Sequence, residues 1–410
     1  MFLVLLAVML AGVTALPALV AQRAAPATSL SPSTVRFALG GNAAAVPAQF
    51  IDNLIFLPVR INDGKSSLFE LDSSSNATSI DLARATALDL QIQNVPAGSA
   101  PGSAAIVRDC VMNLPGVDVN TDSLAVGSKK DFGAQVGKLY EGTLGNDLFA
   151  RFVIQIDYAR KTMELFDPGS FHYSGAGTAL PLAFAGGMPV IRAKFSTVTR
   201  KDIEADFVIN SALDASVVIQ DSFAETHRLF SSHEKTISSL DPELGLAEHV
   251  TFERAKDFRI GPFQTEGTII EFGTIDGLPA GARLAGEIGG GTLRRFNVVF
   301  DYPHRKIILE PNTNFHSDDQ EDKSGISVIA GGAGLKIFQV AQVQPGTPGA
   351  EAGIRQGDVI AGIDDEAAAD LTLADIRDLF RQVGHIYKLL IDRDGKTMPV
   401  TVQMRRLLGS

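Results

Sequence analysis

The sequence predicts a mainly β protein, made of two related lobes and a smaller C-terminal unit. Three observations carry this reading. The chain has 410 residues, enough for two to four domains. It holds 39 Gly and 19 Pro, set between short apolar or alternating runs, which is the pattern of strands joined by turns. And residues 142–168 and 286–312 repeat one frame, too widely separated for a solenoid.

Composition narrows the function. With 36 Lys and Arg against 47 Asp and Glu, the net charge is −11. An acidic chain of this kind argues against nucleic-acid binding, which needs a basic surface to match phosphate. Apolar residues make up 45% and charged residues 20%, which suits packed cores. Cys110 is the single cysteine, so an internal disulfide and a multi-cysteine metal site are both excluded. It reads as a small buried residue rather than a nucleophile.

Residues 1–25 come first. Phe2 to Ala21 carry no charge and read FLVLLAVMLAGVTALPALVA. This is a cleavable targeting signal, or alternatively an uncleaved N-terminal anchor. Either way the remainder is expected to be exported, periplasmic or secreted, with membrane contact only through this segment. Residues 26–45 read as a linker of small residues.

The first lobe, 46–168, opens with LPVRINDGKSSLFELDSSSNATSI from Leu57 to Ile80. The second, 180–312, opens with MPVIRAKFSTVTRKDIEADFVINSALDASVV from Met188 to Val218. Each has a strand, a turn, and a strand that ends in a short polar loop. The loops are Asp72-Ser73-Ser74 and Asn210-Ser211-Ala212. Asp81–Leu90 and Asp221–Leu229 read as short helices after them, and Pro96–Ser103 as a loop able to move. Each lobe closes on the repeated frame Gly-x-hydrophobic-Gly, Arg-Phe, Asp-Tyr and Leu. Asp157 and Asp301 occupy equivalent places in it and read as turn residues whose carboxylates accept local N–H groups, not as a catalytic pair. Residues 312–324 form a second linker.

Across residues 46–312 the frame resembles that of the aspartic peptidases, in particular bacterial retropepsin-like proteins with two lobes in one chain. Glu70-Leu71-Asp72-Ser73-Ser74 and Val208-Ile209-Asn210-Ser211-Ala212 stand where that family has its two catalytic loops. Thr143-Leu144-Gly145 and Glu287-Ile288-Gly289 stand where a later strand crosses beneath each loop. The resemblance implies two pepsin-like or retropepsin-like β lobes forming a cleft, with Asp72, Ser73, Asn210 and Ser211 at its centre.

The chemistry turns on one substitution. Two carboxyls about 3 Å apart cannot both ionise, so they share a proton. One activates water while the other polarises the scissile carbonyl. Here Asp72 is present, but Asn210 is an amide and cannot exchange a proton near neutral pH. The expectation is therefore a protein that binds peptides or unfolded segments, with peptidase activity lost or weak. The alternative is an active aspartic endopeptidase that uses Asp72. Asp214, four residues beyond Asn210, aligns with Asn76, past the catalytic position.

Residues 325–407 complete the chain. Pro345-Gly346-Thr347-Pro348-Gly349-Ala350, Ala352-Gly353-Ile354 and Gly357-Asp358-Val359-Ile360 resemble a bacterial-type PDZ domain. Thr372–Arg381 has helical apolar spacing, and a hairpin is expected around Asp394-Gly395. The resemblance implies a loop that captures a terminal carboxylate at Gly334, Leu335, Lys336 and Ile337, followed by a docking strand from Phe338. Partners are then peptide or protein ligands, protein C-termini among them. The unit could instead serve only to pack against the lobes. The sequence has no phosphate-loop, nucleophile-elbow or His-Glu-x-x-His motif, and neither cofactor nor metal is expected.

Overall fold

The computed structural model describes residues 35–38, 40–94, 105–128, 132–229, 236–240, 247–279, 284–319 and 321–407. The targeting segment 1–25 and the expected loop Pro96–Ser103 lie outside the described residues. No helix among the described residues is long and apolar enough to cross a membrane.

The protein is mainly β. In the first lobe six strands pair in a ring: Leu54–Ile61, Ser67–Leu71, Gly142–Leu144, Ser79–Asp81, Val117–Gly127 and Ala105–Leu114, which returns to Leu54–Ile61. Ring closure leaves these strands without an open edge. The second lobe repeats the order with Met188–Ser196, Ile203–Ile209, Leu284–Ile288, Val217–Gln220, Ile269–Gly273 and Ala247–Arg254. Here the adjoining Asp257–Ile260 closes the ring on Met188–Ser196. Parallel and antiparallel pairings alternate alike in both lobes, so the sequence repeat is a repeat of topology.

The repeated Gly-x-hydrophobic-Gly frame has a steric origin. It forms the crossing strand, which runs parallel to the strand entering the polar loop. A Cβ on Gly145 would stand 2.6 Å from the Ala77 carbonyl oxygen, and one on Gly289 2.6 Å from that of Leu213. Only glycine permits so close a crossing.

A six-stranded sheet joins the lobes, in the order Thr178–Pro181, Lys306–Pro311, Phe296–Asp301, Val153–Asp157, Thr162–Phe166, Ala43–Val46. Its central pairing, Ile154 with Phe300 and Ile156 with Val298, brings the two copies together. Phe149 stacks on Tyr302 across the same junction. One hydrophobic core therefore runs through both lobes. Asp157 and Asp301 lie at turns of this sheet and accept backbone N–H groups from Arg160 and His304. The His304 ring also bonds Asp301 and is half exposed.

Both expected linkers are more ordered than their composition suggests. Ala43–Val46 is an outer strand of the joining sheet. In 312–324, Asp319 accepts from the fully buried Arg295 at 2.7 Å and from the Ile269 N–H at 2.6 Å. Burying a guanidinium demands such a partner, which pins the segment to the second lobe.

The two predicted helices form as Leu82–Ala87, capped by Asp81, and Asp221–His227. Cys110 is buried, which pushes its thiol up.

The C-terminal unit has its own core and a sheet ordered Ile326–Gly331, Ile337–Val343, Val359–Ile363, Ile386–Arg393, Lys396–Gln403. Its helix is Leu373–Phe380, capped by Thr372 and Asp375 in a reciprocal box. Asp394 and Gly395 both take positive φ, as a tight hairpin requires.

Candidate functional site

The site is built where the two polar loops meet. Strand Ser67–Leu71 delivers Asp72, whose N–H donates to the Leu144 carbonyl at 3.0 Å. Strand Ile203–Ile209 delivers Asn210, whose N–H donates to the Ile288 carbonyl at 2.9 Å. The loops hold each other reciprocally. Ser73 Oγ donates to the Ile209 carbonyl at 2.7 Å and accepts the Ser211 N–H at 3.0 Å. Ser211 Oγ donates to the Leu71 carbonyl at 2.7 Å and accepts the Ser73 N–H at 2.9 Å. Both serines are fully buried. The structure thus brings all four candidate residues of the lobes together.

The two central side chains differ. Asp72 Oδ1 accepts from Ser74 N–H (2.8 Å), Ser74 Oγ (2.7 Å) and Ser75 N–H (3.0 Å). Asn210 Oδ1 accepts from Ala212 N–H at 2.9 Å, and its Nδ2 donates to Glu287 Oε2 at 2.9 Å. The amide is thus committed on both sides. Beneath the first loop, Tyr302 donates its hydroxyl to the Ser73 carbonyl at 2.8 Å. Burial, with the Asp72 charge behind it, raises the phenol well above its ordinary value. The equivalent Tyr158 hydroxyl is buried with no hydrogen-bond partner among the described residues, and burial raises it too.

Two further carboxyls flank the centre, Glu70 and Glu287, which the sequence places in the loop and crossing-strand frames without a chemical role. In strand Ser67–Leu71, Phe69 and Leu71 enter the lobe core, so Glu70 lies on the opposite face, in phase with Asp72. It is paired with Phe56 on one side and Thr143 on the other. Leu54, Phe56, Tyr140 and Leu68 form a small apolar cluster apart from the main core. In the second lobe Glu287 stands beside Val208, in phase with Asn210. Glu70 and Glu287 are each 8% exposed. A signal was present: both sit at charged positions inside otherwise apolar strands.

Asp214 takes no part in the centre. It accepts from the Asn53 N–H and Nδ2, at 3.2 and 2.7 Å.

The C-terminal unit departs from expectation. Strand Ile337–Val343, expected to receive a peptide, is paired on both sides, with Ile326–Gly331 and with Val359–Ile363. From Phe338 to Val340 it therefore has no free edge to offer. Phe338 is fully buried in the core, and Lys336 Nζ donates to the Leu371 carbonyl at 2.6 Å. Gly334, Leu335 and Ile337 lie in or beside the turn that leads into this interior strand. The sheet edge is instead Ile326–Gly331, one strand earlier. The N–H groups of Ser324 and Gly325 before it already donate to the Asp322 carboxylate, at 2.9 and 2.5 Å.

This edge faces the lobes. A cavity of about 390 Å³ is lined by Ile326, Val328 and Phe380 of the unit and by Leu213, Asp214 and Phe252 of the second lobe. The helix Leu373–Phe380 is clamped to the lobes. Arg377 and Arg381 donate to the Asp52 carboxylate at 2.9 and 2.8 Å, and Arg377 also reaches the Gln135 carbonyl at 2.6 Å. Burial opposes ionisation of Asp52, but the two guanidiniums outweigh it and hold the carboxyl below its usual range. No group of His, Cys, Asp and Glu among the described residues has the arrangement of a metal site.

Fold and site define a mainly β protein of two like lobes with a C-terminal PDZ domain. Residues 339–393 match the family model of the PDZ domain. No curated protein matches the sequence significantly. Among solved structures, the chain is similar to the aspartic proteinase from Irpex lacteus, at 14% identity over 68% of this chain and 99% of that one, with a TM-score of 0.41. It is also similar to basic 7S globulin from soybean, at 13% identity over 66% and 94% of the two chains, with a TM-score of 0.38. A third similarity, to a photosystem II D1 C-terminal processing protease, has 26% identity over 21% and 23%, with a TM-score of 0.20.

Proposed function

We propose that this is an exported protein that binds peptides or unfolded polypeptide segments in an aspartic-peptidase-like cleft, with hydrolysis lost or weak. The observation that carries it is the state of Asn210. It stands opposite Asp72 in loops locked by Ser73 and Ser211, yet its amide is bonded at both ends. An amide there cannot share a proton with Asp72, so the paired acid and base of water activation are missing. The rest of the framework is kept, which supports binding without turnover. Export draws on residues 1–25 alone. The PDZ unit supports a peptide or protein partner.

A second reading, an active endopeptidase using Asp72, draws on Glu287, whose carboxyl is one hydrogen bond from Asn210. One experiment separates the two. Wild type, Asp72→Ala, Asn210→Asp and Glu287→Gln are incubated with an unstructured protein from acid to neutral pH. Cleavage by Asn210→Asp alone is the expected outcome. Clear wild-type cleavage that is lost in both Asp72→Ala and Glu287→Gln would favour the second reading.

A further inference from the structure

The C-terminal unit has a groove between its edge strand, Ile326–Gly331, and the helix Leu373–Phe380. The first lobe reaches both walls of it. Its short helix Phe132–Val136 packs against the edge strand. The Gln135 carbonyl accepts from Arg377, on the opposite wall, at 2.6 Å. Gly137 follows with a φ of +74°, and a Cβ there would stand 2.6 Å from the Leu373 Cβ. Only glycine allows the lobe so close to the helix. Val136 ties the segment back to Leu54, Phe56 and Tyr140 of its own lobe. The groove is thus held closed by the protein's own chain.

We propose that this groove binds an extended polypeptide segment in competition with residues 132–137 of the first lobe, so that ligand binding undocks the PDZ unit. The proposal rests on the reading of the PDZ unit as a polypeptide binder and adds how that binding is controlled. An edge strand offers a row of unpaired N–H and carbonyl groups, which a second extended chain matches. The lobe segment is helical, and among the described residues Ile326–Gly331 pairs with no strand but Ile337–Val343. An incoming strand therefore makes bonds that the lobe does not, and that difference is what shifts a population. Ile326, Val328 and Phe380, which border the cavity of about 390 Å³, give its apolar side chains a seat. The two occupants share one space, so the coupling runs both ways: loosening the Asp52 clamp strengthens peptide binding, and bound peptide loosens the clamp. Leu213 and Asp214, on the loop after Asn210, line the same cavity, so undocking uncovers that side of the central pair.

The test uses the full chain. Peptides are selected from a random library on Asp52→Asn, on Gly137→Ala and on the double variant, each checked for folding by circular dichroism. The selected peptide is then labelled and titrated into all three and into wild type. Wild type is expected to bind it about tenfold or more weakly than the double variant, because only its undocked fraction is competent. At saturation the peptide should raise the wild-type radius of gyration in small-angle scattering. Amide hydrogen exchange should slow in residues 326–331 and quicken in 132–137. Equal affinity for wild type and variants overturns the competition while leaving the PDZ unit a polypeptide binder. An unchanged radius on binding, or protection away from 326–331, overturns it likewise. So does a double variant that stays docked, since its groove is then closed to any ligand. If the undocked double variant selects no peptide, the reading of the PDZ unit as a polypeptide binder falls as well.

Discussion

Ser73 and Ser211 show how much one hydroxyl can do when it serves as donor and acceptor at once. Each ties the opposite lobe's strand end and loop N–H, so the two loops are positioned by four hydrogen bonds with no charge involved. Removing one hydroxyl leaves a buried N–H and a buried carbonyl without partners. Ser211→Ala is therefore expected to cost about 1–3 kcal/mol of stability, the range for a buried unsatisfied polar group. Urea unfolding monitored by circular dichroism measures it, and a loss close to zero would mean the loops are held by other contacts. Asn210, by contrast, changes chemistry rather than stability. An amide fits the same loop because its Oδ1 takes the same kind of backbone N–H that Asp72 Oδ1 takes.

Among the elements, the crossing strands bear the heaviest steric demand. Gly145 and Gly289 pass within contact of the loops that follow Asp72 and Asn210, so the strand end and the site share one constraint. Gly145→Ala would push a methyl into the Ala77 backbone, which cannot swing aside as a side-chain tip can. A loss of about 2–3 kcal/mol is expected, as for overpacking in a rigid interior. Thermal unfolding would report it, and an unchanged midpoint would show that the crossing is looser than the contacts indicate. The PDZ unit carries the opposite lesson. Its elements formed close to where the periodicity placed them, but edge and interior strands were exchanged. Both strands read as short apolar runs, and nothing local says which one lacks a second neighbour.

On the scale of the whole molecule, two cores are joined by a small charged clamp. The lobes share one core and the PDZ unit keeps another. Asp52 bridges them by accepting from Arg377 and Arg381. Because its folded-state pKa lies below the unfolded value, this contact adds stability above the ordinary carboxylate range. That stability is lost as pH falls through the folded-state value. Acidification should therefore release the PDZ unit before the lobes unfold, and Asp52→Asn should release it at neutral pH. The mutation leaves two guanidiniums facing an amide and is expected to cost about 3 kcal/mol of docking. Small-angle scattering would detect the release as an increase in radius of gyration. A radius unchanged both in acid and in the variant would show that apolar contacts suffice. Release would also uncover the edge Ile326–Gly331, which faces the lobes while docked.

The sequence by itself determined the two-lobe plan, the PDZ domain and the paired loops that carry Asp72 and Asn210. All of these are carried by residues close together in the chain: a repeated frame, glycines at forced crossings, and a motif of fixed spacing. The tertiary structure decided the rest. Glu70 and Glu287 become a pair of flanking acids only when strand alternation and the meeting of two lobes place them beside Asp72 and Asn210. Asp319 becomes an anchor only because Arg295 is buried against it, from a segment that reads as a linker. The free edge of the PDZ sheet, and the lobes it faces, depend on strand order and on Asp52, more than 300 residues from its two arginines. Charge partners and sheet neighbours are chosen by the folded chain in space, and local pattern carries no record of them.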